Sequence, residues 1–221
     1  MNDTPTGLPA PSPRPEARGV FVSFEGGDGV GKTTQIDRLA GWLRAQGHEV
    51  VATREPGGTE LGLELRAAVL HGGHVSPRTE ALLYATDRAH HVDTVVRPAL
   101  ERGAVVLSDR YLDSSVAYQG HGRDLGAEDV ERLSLWAVEG LLPVLTVLLD
   151  LDPALGLTRL SGRPDRLESA GLEFHTRTRR AFLDRAAADP GRWLVLDASA
   201  PVEEVAAAVR ARVAGLLGAV G

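Results

Sequence analysis

The sequence predicts an α/β fold in three layers, with a parallel sheet of about five strands and helices on both faces. Three observations carry this. Short apolar runs at residues 19–25, 49–53, 104–108, 144–149 and 193–197 alternate with stretches whose apolar residues recur at helical spacing. Strands alternating with helices imply parallel pairing through right-handed crossovers. The first run is apolar nearly throughout, as a strand covered on both faces is. Finally, Gly26-Gly27-Asp28-Gly29-Val30-Gly31-Lys32-Thr33 fits G-x-x-x-x-G-K-[ST], a phosphate-binding loop lying, as the motif requires, between a strand and a helix.

Each element has its own reason. Residues 1–18 hold Pro5, Pro9, Pro11, Pro13 and Pro15, lack the long apolar core of a signal peptide, and read as a disordered tail. The strand at 19–25 delivers the chain to the loop. The helix after it carries Ile36, Leu39, Ala40 and Leu43 on one face and stops at Gly47. A second strand, 49–53, ends at Arg54-Glu55-Pro56-Gly57-Gly58-Thr59, and Leu61, Leu65, Ala68 and Val69 mark a helix over 59–70. Pro77 opens a longer helix that ends near Pro98 or Leu100; in it Asp87, His90 and His91 read as a solvated face. The strand at 104–108 runs into Asp109-Arg110-Tyr111. A helix over 127–138 places Val130, Leu133, Leu135 and Trp136 on its apolar side. After the strand at 144–149, a helix from Pro153 dissolves into an Arg/Gly/Pro-rich segment, 159–166. A helix over 174–188, the strand at 193–197 and an Ala/Val-rich helix over 201–217 close the chain.

Composition narrows the function. With 221 residues, 43% of them hydrophobic, the chain can bury a sizeable core, and residues 19–221 read as one domain without internal repeats. A net charge of −6 gives no general surface for a nucleic-acid polymer. The absence of cysteine excludes disulfides, thiolate catalysis and Cys-ligated zinc, and fits a cytoplasmic protein. No apolar run approaches the roughly 20 residues of a membrane helix.

The chemistry gathers at one place. Glycines let the loop turn several backbone N–H groups inward, and the following helix N-terminus adds partial positive charge. The whole stretch from Gly26 through Thr33 and Thr34 therefore suits the phosphates of ATP. Lys32 would reach the terminal phosphates and the Thr33 hydroxyl would ligate Mg²⁺. Ligands of such sheets bind outside the carboxyl ends of the strands. Asp28, Arg54, Asp109 and Arg110 each lie just past a predicted strand and should converge on one rim. Asp109 is a candidate for the Mg²⁺ shell and Arg110 for an anionic acceptor; a buried structural Asp–Arg pair is the alternative. Tyr84 and Arg88, spaced i, i+4, share a helical face suited to stacking a base and donating to its edge. An aromatic in the core beside a solvated arginine has the same spacing. Ser115 and Gln119 offer hydrogen-bonding groups on the same rim. Arg159, Arg163 and Arg166 are either a mobile clamp on phosphates or ordinary surface charge.

Together these motifs resemble those of bacterial thymidylate kinases, nucleoside monophosphate kinases of the P-loop superfamily. The resemblance rests on Phe-Glu-Gly-Gly-Asp-Gly-Val-Gly-Lys-Thr-Thr-Gln (24–35), Thr-Arg-Glu-Pro-Gly-Gly-Thr (53–59) and Asp-Arg-Tyr-Leu-Asp-Ser-Ser-Val-Ala-Tyr-Gln-Gly (109–120). It implies a three-layer αβα P-loop kinase fold with a short Arg-bearing lid at about 161–170, and Mg²⁺-dependent transfer of the ATP γ-phosphate to dTMP. The alternative is a P-loop kinase for a different nucleoside or nucleoside monophosphate. By position, Asp28 resembles the carboxylate at the acceptor sugar. Arg54 and Arg110 resemble acceptor-phosphate ligands, and Arg66 also faces the nucleotide. Tyr84 falls where the family has phenylalanine stacked on thymine. Arg88, Ser115 and Gln119 resemble the residues reading the thymine edge, with Tyr118 beside them. Arg159 falls to ATP; Lys32, Asp28, Arg110, Arg163 and Arg166 fall to catalysis; Thr33 and Asp109 fall to the metal. The resemblance further implies a homodimer.

Overall fold

The structure, a computed structural model, describes residues 19–160 and 165–220. The proline-rich tail and the first part of the expected lid, with Arg163, lie outside the described residues. β1 (Val20–Glu25) is buried along its whole length. Its neighbours β3 (Val105–Asp109) and β4 (Leu145–Asp150) are buried except at their last residues. β2 (Val50–Arg54) and β5 (Trp193–Asp197) are only partly covered, because they form the edges. The order is β2-β3-β1-β4-β5 and every pairing is parallel, so the nearly all-apolar run took the centre as expected.

Helices close both faces. α1 (Lys32–Ala45) lays Ile36, Leu39, Ala40 and Leu43 on one face, beside Val205, Val209 and Val213 of α9 (Val202–Val220). On the other face, Phe21 and Val106 of the sheet pack with Val96, Leu100, Tyr111, Leu112 and Val116. α2 (Glu60–His71) begins at Thr59, whose hydroxyl accepts from the Gly62 N–H at 2.9 Å. α3 (Pro77–His91) begins at Ser76 with proline in its first turn, where a missing N–H costs nothing. It passes through a π turn, Val92–Val96, into α4 (Arg97–Glu101). Residues 77–101 thus form the long helix expected there, widened just before Pro98, whose ring cannot donate to the preceding turn.

Two stretches differ from the sequence reading. Residues 112–122, not assigned a helix, form α5 (Leu112–Ser115) and a π turn, Val116–Gly122. Serines and glycines give this stretch poor helix propensity. Burial of Leu112, Val116, Ala117 and Tyr118, each 3% exposed or less, decides it. In α6 (Ala127–Ala137), Val130 and Ser134 face inward while Trp136 is 59% exposed, not on the covered side; at about 100° per residue Trp136 lies far around the helix from Val130. α7 (Pro153–Thr158), a short 3₁₀ turn at Glu168–Ala170 and α8 (Leu172–Ala188) complete the chain. Among the described residues no helix is long and apolar enough to cross a membrane.

Register positions the site. Phe24 of β1 and Arg54 of β2 both align with Asp109 of β3, so three strand ends stand level. Two backbone bonds continue the ladder beyond them, Glu55 N–H to Asp109 O and Arg110 N–H to Phe24 O, both 2.9 Å.

Candidate active site

The loop after β1 is shaped by glycines that nothing else could replace. Gly26 has φ 132 and a Cβ there would lie 2.4 Å from the Leu149 carbonyl; one on Gly29, φ 74, would lie 2.2 Å from the Gly156 carbonyl of α7. The chain therefore packs directly under α7 before turning into α1. Lys32 is 7% exposed, and its ammonium donates to the carbonyls of Gly27 (2.7 Å) and Gly26 (3.3 Å). Burial first, and Arg110 second, hold its pKa below the ordinary lysine value. Thr33 Oγ1 donates to Asp109 Oδ2 at 3.2 Å.

Arg110 is the hub of the rim. Its backbone takes φ 71, a left-handed conformation that a residue with a Cβ adopts at a cost and that clusters at functional sites. That turn aims the guanidinium back over the loop. It donates to Asp28 Oδ1 (2.6 Å), the Gly26 carbonyl (3.0 Å) and Ser114 Oγ (3.1 Å), and lies 5.0 Å above the Tyr118 ring. Tyr118 also donates to Asp28 Oδ2 at 3.5 Å. Burial pushes the Asp28 carboxyl up, but Arg110 and then Lys32 outweigh it and hold its pKa below the usual carboxylate range.

Two spaces adjoin at Arg110. A cleft of about 420 Å³ is lined by the loop, with Lys32, Thr33 and Asp109, and by Arg54 and Arg66. A smaller cavity of about 70 Å³ is lined by Tyr84, Arg88, Ser115 and Gln119. Asp28, Glu55, Arg66 and Arg110 line both. Asp28, Arg54, Asp109 and Arg110 therefore stand at one rim, with Tyr84, Arg88, Ser115 and Gln119 on the adjoining cavity.

The stretch expected to hold ATP divides between the cleft and the core. Thr34, the third residue of α1, is exposed and lines the cleft together with Gly29, Gly31, Lys32 and Thr33. Gly26, Gly27 and Val30 do not line it; they face α7 and the end of β4 instead. Val30 is 6% exposed and belongs to the core beside Leu149 and Leu151, so its apolar side chain anchors the loop from behind and is not a phosphate contact. Arg54 is exposed in the cleft, whereas Arg66 donates to the Pro56 carbonyl at 3.0 Å.

Tyr84 packs on Val69 and Leu70, its ring on the cavity wall. Arg88 is 1% exposed and makes four hydrogen bonds, to Glu55 Oε2 (2.7 Å), Ser115 Oγ (3.1 Å), the Tyr111 carbonyl (3.3 Å) and Ser134 Oγ (3.4 Å). A guanidinium has five N–H donors, so one, on Nη1, is left over.

The two outlying arginines differ. Arg159 ends α7 beside the loop, its Cβ 3.3 Å from where a Gly29 Cβ would stand, and donates to the Ala198 carbonyl at 3.4 Å. Arg166, expected in a phosphate clamp, does not line the cleft. Its guanidinium turns to the Val69 carbonyl and to Glu80 Oε2, 3.4 Å away, because a carboxylate only 2% exposed requires a charged partner.

Several buried groups escaped the sequence reading. Asp87 and His91 are not a solvated face: they are 1% and 0% exposed. Glu55 Oε1 pairs with His91 Nδ1 at 2.8 Å, His91 Nε2 meets Thr53 Oγ1 at 2.7 Å, and Asp87 Oδ1 accepts from the Gly57 N–H at 3.1 Å. Together they pin the turn after β2. Asp113, wholly buried, receives both Arg185 and Arg192 and ties α5 to α8 and the start of β5. Glu25 accepts from the Tyr111 N–H (2.8 Å) and Ser114 Oγ (2.6 Å). A lone acidic residue closing an apolar strand, as Glu25 does, was the available signal.

Glu25 yields a pH prediction. Its pKa is pushed up to about 7, first by burial and then by Asp113. A carboxyl that binds its proton more tightly folded than unfolded stabilises the fold below its unfolded pKa, and this is lost as pH rises through the folded value. Between about pH 4.5 and 7, Glu25→Gln should therefore gain stability relative to the parent, by up to about 1.4 kcal/mol per pH unit. Urea unfolding across that range reads it; parallel curves for both proteins would show that Glu25 does not titrate there.

Comparison with known proteins gives one answer. A family profile described as thymidylate kinase matches residues 24–209. The chain is 64% identical over 205 residues to a protein named thymidylate kinase from Clavibacter michiganensis subsp. michiganensis, covering 91% of this chain and 97% of that one. To its namesake from Leifsonia xyli subsp. xyli it is 61% identical over 212 residues, covering 94% and 99%. To that from Deinococcus radiodurans it is 54% identical over 200 residues, covering 89% and 97%.

Proposed function

The chain belongs to the thymidylate kinase family, and on that premise we propose that it transfers the γ-phosphoryl group of ATP to dTMP, giving dTDP and ADP, with Mg²⁺ as the metal. One observation supports the site behind this reading. The cleft holding Lys32 and the cavity holding Tyr84 share Asp28 and Arg110, so a donor and an acceptor bound in them would meet phosphate to phosphate.

Little covalent work falls to the protein. An acceptor phosphate oxygen, already anionic near neutral pH, attacks in line, and positive groups neutralise the charge spreading over the transferring phosphoryl. Lys32 serves the donor phosphates, with the loop amides through Thr33 and Thr34 around them. Arg54 and Arg110 bind the acceptor phosphate and suppress repulsion between two anions. Asp28, oriented by Arg110 and Tyr118, faces the acceptor sugar, Tyr84 stacks on the base, and Arg88, Ser115 and Gln119 read its edge.

A divalent metal fits the residues present. Thr33 Oγ1 and Asp109 Oδ2 lie 3.2 Å apart, two hard oxygen donors at the foot of the loop. Among the described residues no group of three or more His, Cys, Asp and Glu could hold a metal by itself. Phosphate oxygens and water would supply the other ligands, which is how Mg²⁺ sits at such sites. Held by Thr33 and Asp109, such an ion would supply charge neutralisation for the donor phosphates.

An acceptor panel tests the reading. With ATP and Mg²⁺, dTMP is expected to exceed dCMP and dGMP in kcat/KM by on the order of 10²-fold or more, followed by ADP release. Equal turnover of several acceptors would favour a kinase for a different nucleotide. A cytoplasmic homodimer completes the proposal. Leu82 of α3 and Trp136 of α6 are at least half exposed on helices that pack together, and a second copy would cover them; sedimentation as a single chain would count against it.

A further inference from the structure

Glu80, in the first turn of α3, is 2% exposed and lines neither space of the site. Three side chains converge on it. Gln119 donates from Nε2 to Oε1 at 2.9 Å. Arg123 forks across both oxygens at 3.3 Å. Arg166 stands 3.4 Å from Oε2. Two guanidiniums thus more than neutralise one carboxylate, and of the three partners Gln119 is the one that also lines the cavity.

A carboxylate only accepts hydrogen bonds, whereas an amide has a donating end and an accepting end. Gln119 can therefore face Glu80 in one orientation alone, NH₂ toward the carboxylate, and its carbonyl Oε1 is the end left for the cavity. Within the described residues no group donates to that oxygen. We propose that Glu80 is a positioning residue for base selection, locking Gln119 so that the cavity presents a fixed acceptor beside Tyr84, Arg88 and Ser115. The inference rests on the thymidylate kinase reading. Thymine carries an N–H at ring position 3, a donor that suits such an acceptor. Cytosine has a bare nitrogen there, so two acceptors would face each other without a proton between them. A buried polar site built for one partner rejects another chiefly by the groups it leaves unpaired.

The test uses the full chain with ATP and Mg²⁺, and dTMP and dCMP as acceptors. The parent protein comes first: if it does not turn over dTMP, the family reading fails rather than the role of Glu80. Glu80→Gln replaces an obligate acceptor with an amide that can meet either end of Gln119. It is expected to lower the dTMP-to-dCMP ratio of kcat/KM by about tenfold, through KM for dTMP, with kcat kept within about threefold. Gln119→Met should lower the same ratio, and adding Glu80→Gln to it should lower it no further, because one residue acts through the other. If Glu80→Gln folds poorly, Glu80→Asp carries the test, keeping the charge for both arginines while withdrawing it from Gln119. A folded variant with the parental ratio to within about twofold, or additive effects in the double variant, would overturn the proposal.

Discussion

Replacing Lys32 by alanine is expected to lower kcat/KM for dTMP phosphorylation by on the order of 10³-fold, with the fold intact. Lys32 is buried at the start of α1, and its ammonium is held against the carbonyls of Gly26 and Gly27. Those carbonyls fix the charge over the loop, where donor phosphates would lie, and no other lysine occurs in the loop. A group already positioned in a partly dry cleft needs no reorganisation when charge develops in the transition state, so its loss appears in kcat more than in folding. Alanine retains the helix and removes only the stem and its charge. Coupled ADP release measures the rate, and thermal unfolding checks that the variant stays folded. Turnover near the parental rate would remove Lys32 from the mechanism.

The second large effect is expected at Arg110. Arg110→Met should lower kcat/KM by a similar order of magnitude, and Arg110→Lys should restore only part of it. The guanidinium serves Asp28, Gly26 and Ser114 at once, and a fork of fixed donors does this where a point charge cannot. Removing it also strips Asp28 of the strongest influence holding its pKa down. With burial then unopposed except by Lys32 and weaker partners, the Asp28 carboxyl moves up and the acid limb of the pH–rate profile shifts to higher pH. Full recovery by lysine would mean that charge alone is needed and the geometry is incidental.

How much of this could be read from the chain follows from the range of each interaction. The loop was legible because a strand, a run of glycines, Lys32 and the helix after them are contiguous, and their chemistry is carried by backbone close at hand. Within it, sequence alone did not separate Thr34, which lines the cleft, from Val30, which turns into the core. Convergence of Arg54, Asp109 and Arg110 on that loop was legible too, since parallel strands in a doubly covered sheet end on one side. Spacing offered Tyr84, Arg88, Ser115 and Gln119, family resemblance gave them roles toward the base, and the cavity does bring them together. The helix over residues 112–122 was not legible, because its local propensity is poor and only burial against the sheet holds it. Asp87 and His91 looked like a wet surface for a related reason: polarity along a helix does not tell which buried partner, here Glu55, Thr53 or Gly57, waits opposite.

Arg166 draws the line between the two kinds of knowledge. Its position near a lid suggested a phosphate clamp, yet its guanidinium lies between Glu80 and the carbonyls that end α2. The alternation of strands and helices, the phosphate loop and the charges on its rim were settled by short-range pattern, which the chain carries locally. Which carboxylate each arginine answers to, which end of Gln119 faces the cavity, and which faces of α3 and α6 turn from the core were settled only when residues 30 to 100 positions apart came into contact. Burial makes such long-range pairings decisive, because a polar group shut away from water must take whatever partner the packing brings.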